Sequence, residues 1–408
     1  MAATSMGASH LVLGPRAGML YGPALLWLVV AVYLLKYPAF EFGPRYALAT
    51  GESLIAGYAK VPGPGRWALW AFVVLTAAQG VGVGVAVTSI AASVLRVSLG
   101  LMPLSAWGVV VATVAAALLW IGRFPALESA NKVMLSLLAV VTLVTFVASR
   151  PSAEAFTYLV RPSLPEGSVI LAAAIVGWLP TGIDVSIWHS LWALKVSDRW
   201  EDREEPSLER RKHRLHKGLI DMRLGYAVSF VLAVIFLLLG TRVPATAATA
   251  PDGARVAVAI SRAYAVTLGD WVVPVFMAAA FVGMFATAYI VMDGFPRALA
   301  EGARLLSRKR RENKEAWQTP YWVTLASVWL VTCVVHIAWP KPVQLATLAA
   351  LLGLLVSPLY YALSYYCVIR HIREEEFAAG RFLRLLALVG IVFVTVATLA
   401  WLYLRQSW

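Results

Sequence analysis

Apolar stretches of roughly 17 to 25 residues, the length a helix needs to cross a hydrocarbon core about 30 Å thick, recur along this whole chain. Ten are legible, at residues 19–40, 67–95, 104–121, 133–148, 169–194, 224–240, 272–292, 322–337, 343–368 and 385–404. Residues 1–13 ahead of them are apolar and rich in small side chains but too short to cross, and are read as the second half of a broken first helix, for a total of about eleven spans. In lipid a backbone must satisfy its own hydrogen bonds, so the predicted fold class is an all-α integral membrane protein. Composition agrees: with 60% hydrophobic and only 14% charged residues, a water-soluble domain would have nowhere to put its surface.

The net charge of +13 raises the question of nucleic acid, and its placement answers against it. If the stretches cross alternately, most of the Lys and Arg fall on one side, in the connections 195–223, 297–314 and 370–384, which the positive-inside rule makes cytoplasmic with the C-terminus outside. The run Arg308-Lys309-Arg310-Arg311 reads as an orientation signal before it reads as a site for nucleic acid or anionic lipid. The 195–223 connection mixes both signs of charge and reads as a solvated helical hairpin. Cys333 and Cys367 lie inside apolar stretches, so neither a disulfide framework nor a metal knuckle is expected. Tryptophans near stretch ends, Trp67, Trp107, Trp271, Trp339 and Trp401 among them, fit interfacial belts.

Polar and helix-breaking residues at membrane depth need a reason. The sixth stretch carries a Pro180-Thr181-Gly182 interruption followed by Asp184, the one carboxylate placed near the centre of any span. An interrupted helix frees carbonyls and N–H groups that can replace an ion's hydration shell, and a bare carboxylate there costs several kcal/mol unless it meets a cation or proton. Against this stand an ordinary proline kink and a purely structural acceptor role for Asp184. Ser186 and His189 are secondary polar candidates, His189 as a ligand or proton carrier or as a histidine bonded to a neighbouring helix. Gly7, Ser9 and His10 form a weaker counterpart in the first stretch, five stretches earlier, the offset expected of two five-helix repeats. Gly80, Gly82 and Gly84 read as close helix packing. Lys36 and Glu41, flanking Pro38 at the end of the second stretch, are expected to pair or to snorkel, and Asp293-Gly294 to close the eighth stretch as a helix terminus.

Ala17-Gly18, Gly22 and Leu25-Leu26-Trp27, then Thr50-Gly51-Glu52-Ser53-Leu54, then His189-Ser190 occur in an order that resembles the Nramp family (natural resistance-associated macrophage protein) of divalent metal transporters. The resemblance implies a LeuT-type 5+5 inverted repeat with broken helices 1 and 6, residues 1–148 and 169–369 as the two repeats, and 385–404 as an additional helix. It also implies that the first helix is N-terminally truncated at Met1, with about 15 to 20 residues expected ahead of it. Family members bind metal through Asp-Pro-Gly-Asn in the first helix and Met-Pro-His in the sixth. The corresponding stretches here are Gly7-Ala8-Ser9-His10 and Gly182-Ile183-Asp184, so the metal-binding Asp, Asn and Met become Gly7, His10 and Gly182. Loss of the thioether weakens the preference for soft metals over hard ones. The third stretch has no acidic residue and the ninth no arginine, where coupled members carry their proton route, which leaves proton coupling open.

The resulting expectation is a secondary transporter of divalent cations, Mg²⁺ or Mn²⁺/Fe²⁺, multi-pass in the cell (inner) membrane and working by alternating access. Its site comprises Asp184, Gly182, Thr181, Gly7, Ser9 and His10, with the divalent metal ion as substrate, membrane lipids as surroundings, no cofactor and no nucleic acid. A small organic solute such as an amino acid is the alternative cargo. An enzyme is not expected, because no catalytic pair of aspartates or His-rich motif is visible in the spans.

Overall fold

The computed structural model describes residues 7, 9–122, 124–198, 207–243, 254–307 and 318–404. Among these residues the fold is all-helical. A π-helical turn, Ser9–Leu13, leads into α1 (Gly14–Tyr21), followed by α2 (Leu26–Thr50), the short α3 (Leu54–Tyr58), α4 (Trp67–Leu99), α5 (Leu104–Ile121) and α6 (Phe124–Ala148). The second half contains α7 (Val169–Trp178), α8 (Asp184–Asp198), α9 (Leu208–Gly240), α10 (Ala254–Leu268), α11 (Val272–Leu306), α12 (Gln318–Ala338), α13 (Pro342–His371) and α14 (Arg381–Leu404). Eight helices, counting Ser9–Thr50 as one span, are long and apolar enough to cross a membrane, and nine if the bent pair Ser136–Ala148 and Ala153–Leu159 is one span. The interrupted pair α7 and α8 and the 15-residue α10 fall outside that length criterion one by one. The basic run 308–311, most of the first half-helix (1–6 and 8) and the middle of the 195–223 connection (199–206) lie outside the described residues.

Lipid-facing surface is evident on the outer helices. Leu388, Val392, Val396 and Leu399 of α14 are all exposed, as are Val323, Leu330, Val334 and Ile337 of α12, which only a hydrocarbon solvent accommodates. Inside, α4 is packed from several sides: Gly80 admits Phe295 of α11, Gly82 faces Leu352 of α13, and Gly84 faces Val328 and Thr332 of α12. Gly18 of α1 lies directly on the backbone of α9 at Leu237, and Gly240 of α9 lies on Pro15, so small residues bring these two helices into backbone contact. Cys333 and Cys367 are buried free thiols.

Several boundaries differ from those drawn from the sequence. The apolar run 19–40 is not one helix, because Gly22 at φ 58° and Pro23 divide it between α1 and α2. α2 then continues beyond residue 40, through Pro38 and Pro44, to Thr50, where Gly51 at φ 70° ends it. Ser186 helps it do so: its Oγ donates to the Ala39 carbonyl at 2.6 Å and accepts from the Gly43 N–H at 3.0 Å, inserting into the helical ladder. With this extension Lys36 falls inside the span rather than near its end. Lys36 and Glu41 therefore neither pair nor snorkel. Lys36 is fully buried, and Glu41, 1% exposed, is bonded by Tyr37, Arg45 and Arg223.

Asp293-Gly294 does not end a helix, since α11 runs on to Leu306. Asp293 instead pairs with Arg297 one turn on at 2.7 Å and accepts from the Tyr321 hydroxyl of α12 at 2.8 Å. α10 was not legible as a helix because Arg255 and Arg262 interrupt a run too short to cross a bilayer; its Ile260 and Tyr264 are nonetheless buried, and the Tyr264 hydroxyl donates to Thr142 of α6.

Candidate substrate site

α7 stops at Trp178 because the chain turns extended at Leu179 (ψ 132°) and Pro180, behind a cis peptide bond, has no N–H to continue the ladder. Helix resumes only at Asp184: the Leu179 N–H still closes the last turn of α7 on the Ile175 carbonyl at 2.9 Å, and 180–183 are non-helical. On the facing side, Gly7 precedes the π-helical turn, its carbonyl accepting from the His10 N–H at 3.0 Å. Ser9, at the start of this turn, meets the interruption that follows α7: its Oγ donates to the Pro180 carbonyl at 3.0 Å. Beside this bond lies a cavity of about 30 Å³, walled by Gly7 and Ser9 on one side and Trp178, Pro180 and Thr181 on the other. α4 contributes Val83 and Val87 to its lining, and α11 contributes Thr287 and Val291. That volume is on the scale of one or two water molecules.

Asp184 opens α8, 3% exposed, with Oδ1 accepting from Gln79 Nε2 of α4 at 3.0 Å. Gln79 is itself 1% exposed, and its Oε1 has no hydrogen-bond partner. Gly182 leaves room for this arrangement: a Cβ there would fall on Asp184 Oδ1 and crowd Gln79 Nε2 at 3.3 Å, so a larger residue would displace the carboxylate.

Of the residues predicted for the site, Gly7, Ser9 and Thr181 share the cavity, while Gly182 and Asp184 sit behind it against Gln79. His10 turns elsewhere, bonding the Tyr33 hydroxyl at 2.7 Å and Ser229 of α9 at 2.9 Å. Ser186 is committed to the α2 backbone. His189 is buried with its ring 5.5 Å from that of Trp192 and does not line the cavity. Gln79, Thr287 and Lys36 were not singled out as site residues. The available signal for Gln79 was its amide in an otherwise glycine- and valine-rich span, read there as packing.

No cluster of three or more His, Cys, Asp or Glu suited to a metal occurs among the described residues. The polar atoms around the cavity are hydroxyl and carbonyl oxygens, with one carboxylate nearby, a donor set for hard cations that keep part of their hydration shell.

A sequence profile of the family described as natural resistance-associated macrophage protein-like matches residues 1–404. The chain belongs to the Nramp family. This Nramp protein is also 25% identical to an uncharacterized protein of Pasteurella multocida, over its whole length and 91% of that relative. Solved structures with the same fold include a histidine-to-alanine mutant of a manganese transporter of Eremococcus coleocola (TM-score 0.68, 13% identity, 98% of this chain and 84% of that one). They also include MhsT in complex with L-phenylalanine (TM-score 0.64, 12% identity, 97% and 96%). The Nramp protein described here is thus a multi-pass membrane transporter with the LeuT-type fold, of a family that moves divalent metal cations, and it is not an enzyme.

Proposed function

We propose that this Nramp protein carries a hard divalent cation, Mg²⁺ or Mn²⁺, by alternating access about the meeting point of its two interruptions. Residues 1–148 and 169–369 act as the two repeats that rock against one another. The observation that carries the reading is the buried carboxylate of Asp184, which opens α8 directly after a non-helical stretch that also borders a cavity where the Ser9, Thr181 and Thr287 side chains stand among apolar walls. Asp184 supplies charge; Ser9, Thr181 and the neighbouring carbonyls supply neutral oxygens, and Gln79 Oε1 is a further buried oxygen with coordination to spare. A partly hydrated Mg²⁺ needs few direct carboxylates, and manganese is the ion named for the Eremococcus transporter of the same fold. An amino-acid cargo is favoured by no comparable observation, since the cavity is far smaller than such a ligand.

Uptake of Mg²⁺ and Mn²⁺ into proteoliposomes, wild type against Asp184→Asn, tests the reading. The substitution keeps the hydrogen-bonding shape and removes the charge, and at least a tenfold loss of uptake is expected. Undiminished uptake by Asp184→Asn removes Asp184 from the site.

A further inference from the structure

A helix that stops leaves its last carbonyls without intrahelical partners. At the end of α7 the Val176 carbonyl would take its helical bond from residue 180, a proline with no hydrogen to give, and the chain is already extended at Leu179. These oxygens are not left bare. The side-chain ammonium of Lys36, wholly buried in α2, donates to the carbonyls of Leu179 at 2.8 Å and of Val176 and Thr181 at 3.0 Å each, with that of Gly177 at 3.4 Å. No carboxylate among the described residues lies within ion-pair distance of Nζ, and the nearest aromatic face, Phe40, is 5.9 Å away. The ammonium is bonded by backbone carbonyls, at the negative end of a helix, with the Asp184 carboxylate beyond bonding distance but close enough for its charge to act on it. Rings of carbonyls are how proteins replace the hydration shell of a monovalent cation, and the C-terminal ends of broken helices are where transporters place such ions.

We propose that Lys36 is a tethered monovalent cation: its ammonium fills a carbonyl cage, formed by the end of α7 and the stretch after it, that would otherwise accept a free potassium- or ammonium-sized ion. The interruption is thereby held in shape without an ion from solution. Filling the cage from within the chain makes the fold, and the Ser9–Pro180 contact beside it, indifferent to the monovalent salt present. The role is independent of which cargo occupies the neighbouring cavity.

The test compares wild type, Lys36→Ala and Lys36→Met as purified proteins in detergent, without divalent metal. Thermal unfolding is followed in chloride salts of choline, sodium, potassium and ammonium at equal ionic strength. Wild type is expected to unfold at the same temperature in all four. Lys36→Ala empties the cage and is expected to unfold several degrees lower in choline and to recover in potassium or ammonium, since an ion that binds only the folded state stabilises it. Lys36→Met keeps the apolar stem in place and is expected to be destabilised without recovery. Three results overturn the proposal: Lys36→Ala unfolding at one temperature in all four salts, Lys36→Met as stable as wild type, or Lys36→Ala that folds in none of them. Because no cargo is present, failure here is distinct from failure of the divalent-cation reading.

Discussion

Ser9 Oγ donates to the carbonyl of Pro180 across 3.0 Å, so that the turn ahead of α1 and the interruption after α7, 171 residues apart in the chain, touch directly beside the cavity. The stretch after α7 loses helical hydrogen bonds, and this contact satisfies one of its carbonyls. Ser9→Ala leaves the Pro180 carbonyl unsatisfied in a buried setting, at a cost of about 1–3 kcal/mol. A lower midpoint of thermal unfolding and slower cation uptake are expected, with Ser9→Thr, which keeps the hydroxyl, close to wild type in both assays.

Gln79 Nε2 is the side-chain donor to Asp184 Oδ1, and a hydrogen bond to a charged group is worth about 1.5–3 kcal/mol. Gln79→Leu keeps the bulk and removes the amide, so Asp184 loses its positioning. Uptake kinetics in proteoliposomes are expected to show a roughly tenfold or greater fall in kcat/KM for the cation, tenfold corresponding to about 1.4 kcal/mol. Wild-type kinetics in Gln79→Leu would mean that Asp184 needs no such support.

Glu41 organises one end of α2. It accepts from Arg45 at 2.6 Å, from Arg223 of α9 at 3.2 Å and from the Tyr37 hydroxyl, while Arg45 reaches the carbonyls of Phe377 and Ala378. Removing one partner of a buried ion pair costs about 3–5 kcal/mol because the other charge is stranded. Glu41→Ala is expected to destabilise strongly in thermal unfolding. Arg223→Ala, whose side chain is 49% exposed, is expected to cost less than about 1 kcal/mol.

Gly18 lies on the α9 backbone, where an added Cβ would overlap the Leu237 carbonyl. Backbone atoms cannot step aside as side chains do, so Gly18→Val is expected to push α1 off α9 and abolish a monodisperse peak in size-exclusion chromatography. Gly22→Val is the wrong control, since Gly22 has φ 58°; a substitution at exposed Leu388 of α14 serves, and is expected to leave the peak intact.

Much of the fold was legible because the bilayer is a simple solvent. It demands long apolar runs with closed backbones, and most of the spans and the interruption at 180–182 follow from that demand. Lys36 shows where such reading stops. The sequence places it near a span end, as lysines in membranes generally are, because it flanks Pro38 with Glu41 where the apolar run stops. The helix runs on past Pro38, and Ser186, 147 residues from Ala39, bridges the Ala39 carbonyl and the Gly43 N–H within it. Asp293 was misplaced for the opposite reason: a charged residue and a glycine after an apolar run look like an end, while its partners Arg297 and Tyr321 make it tolerable inside α11. His10 reads as a site residue because it is polar and stands where the family has its metal-binding asparagine, but its orientation depends on Tyr33 and Ser229, which the local sequence does not register.

By itself the sequence determined solvent, class and family: hydrophobic runs of bilayer length are a local property, and so are the motifs of the Nramp resemblance. Only the tertiary structure decided which polar groups face one another. The carbonyls freed at the end of α7 read, from the sequence, as ligands for a passing ion; in the folded chain they are held by Lys36, from a helix about 140 residues earlier. A freed carbonyl carries no record of its partner. Which cation satisfies it is fixed by long-range packing, since a buried dipole accepts whichever positive charge the fold brings within reach.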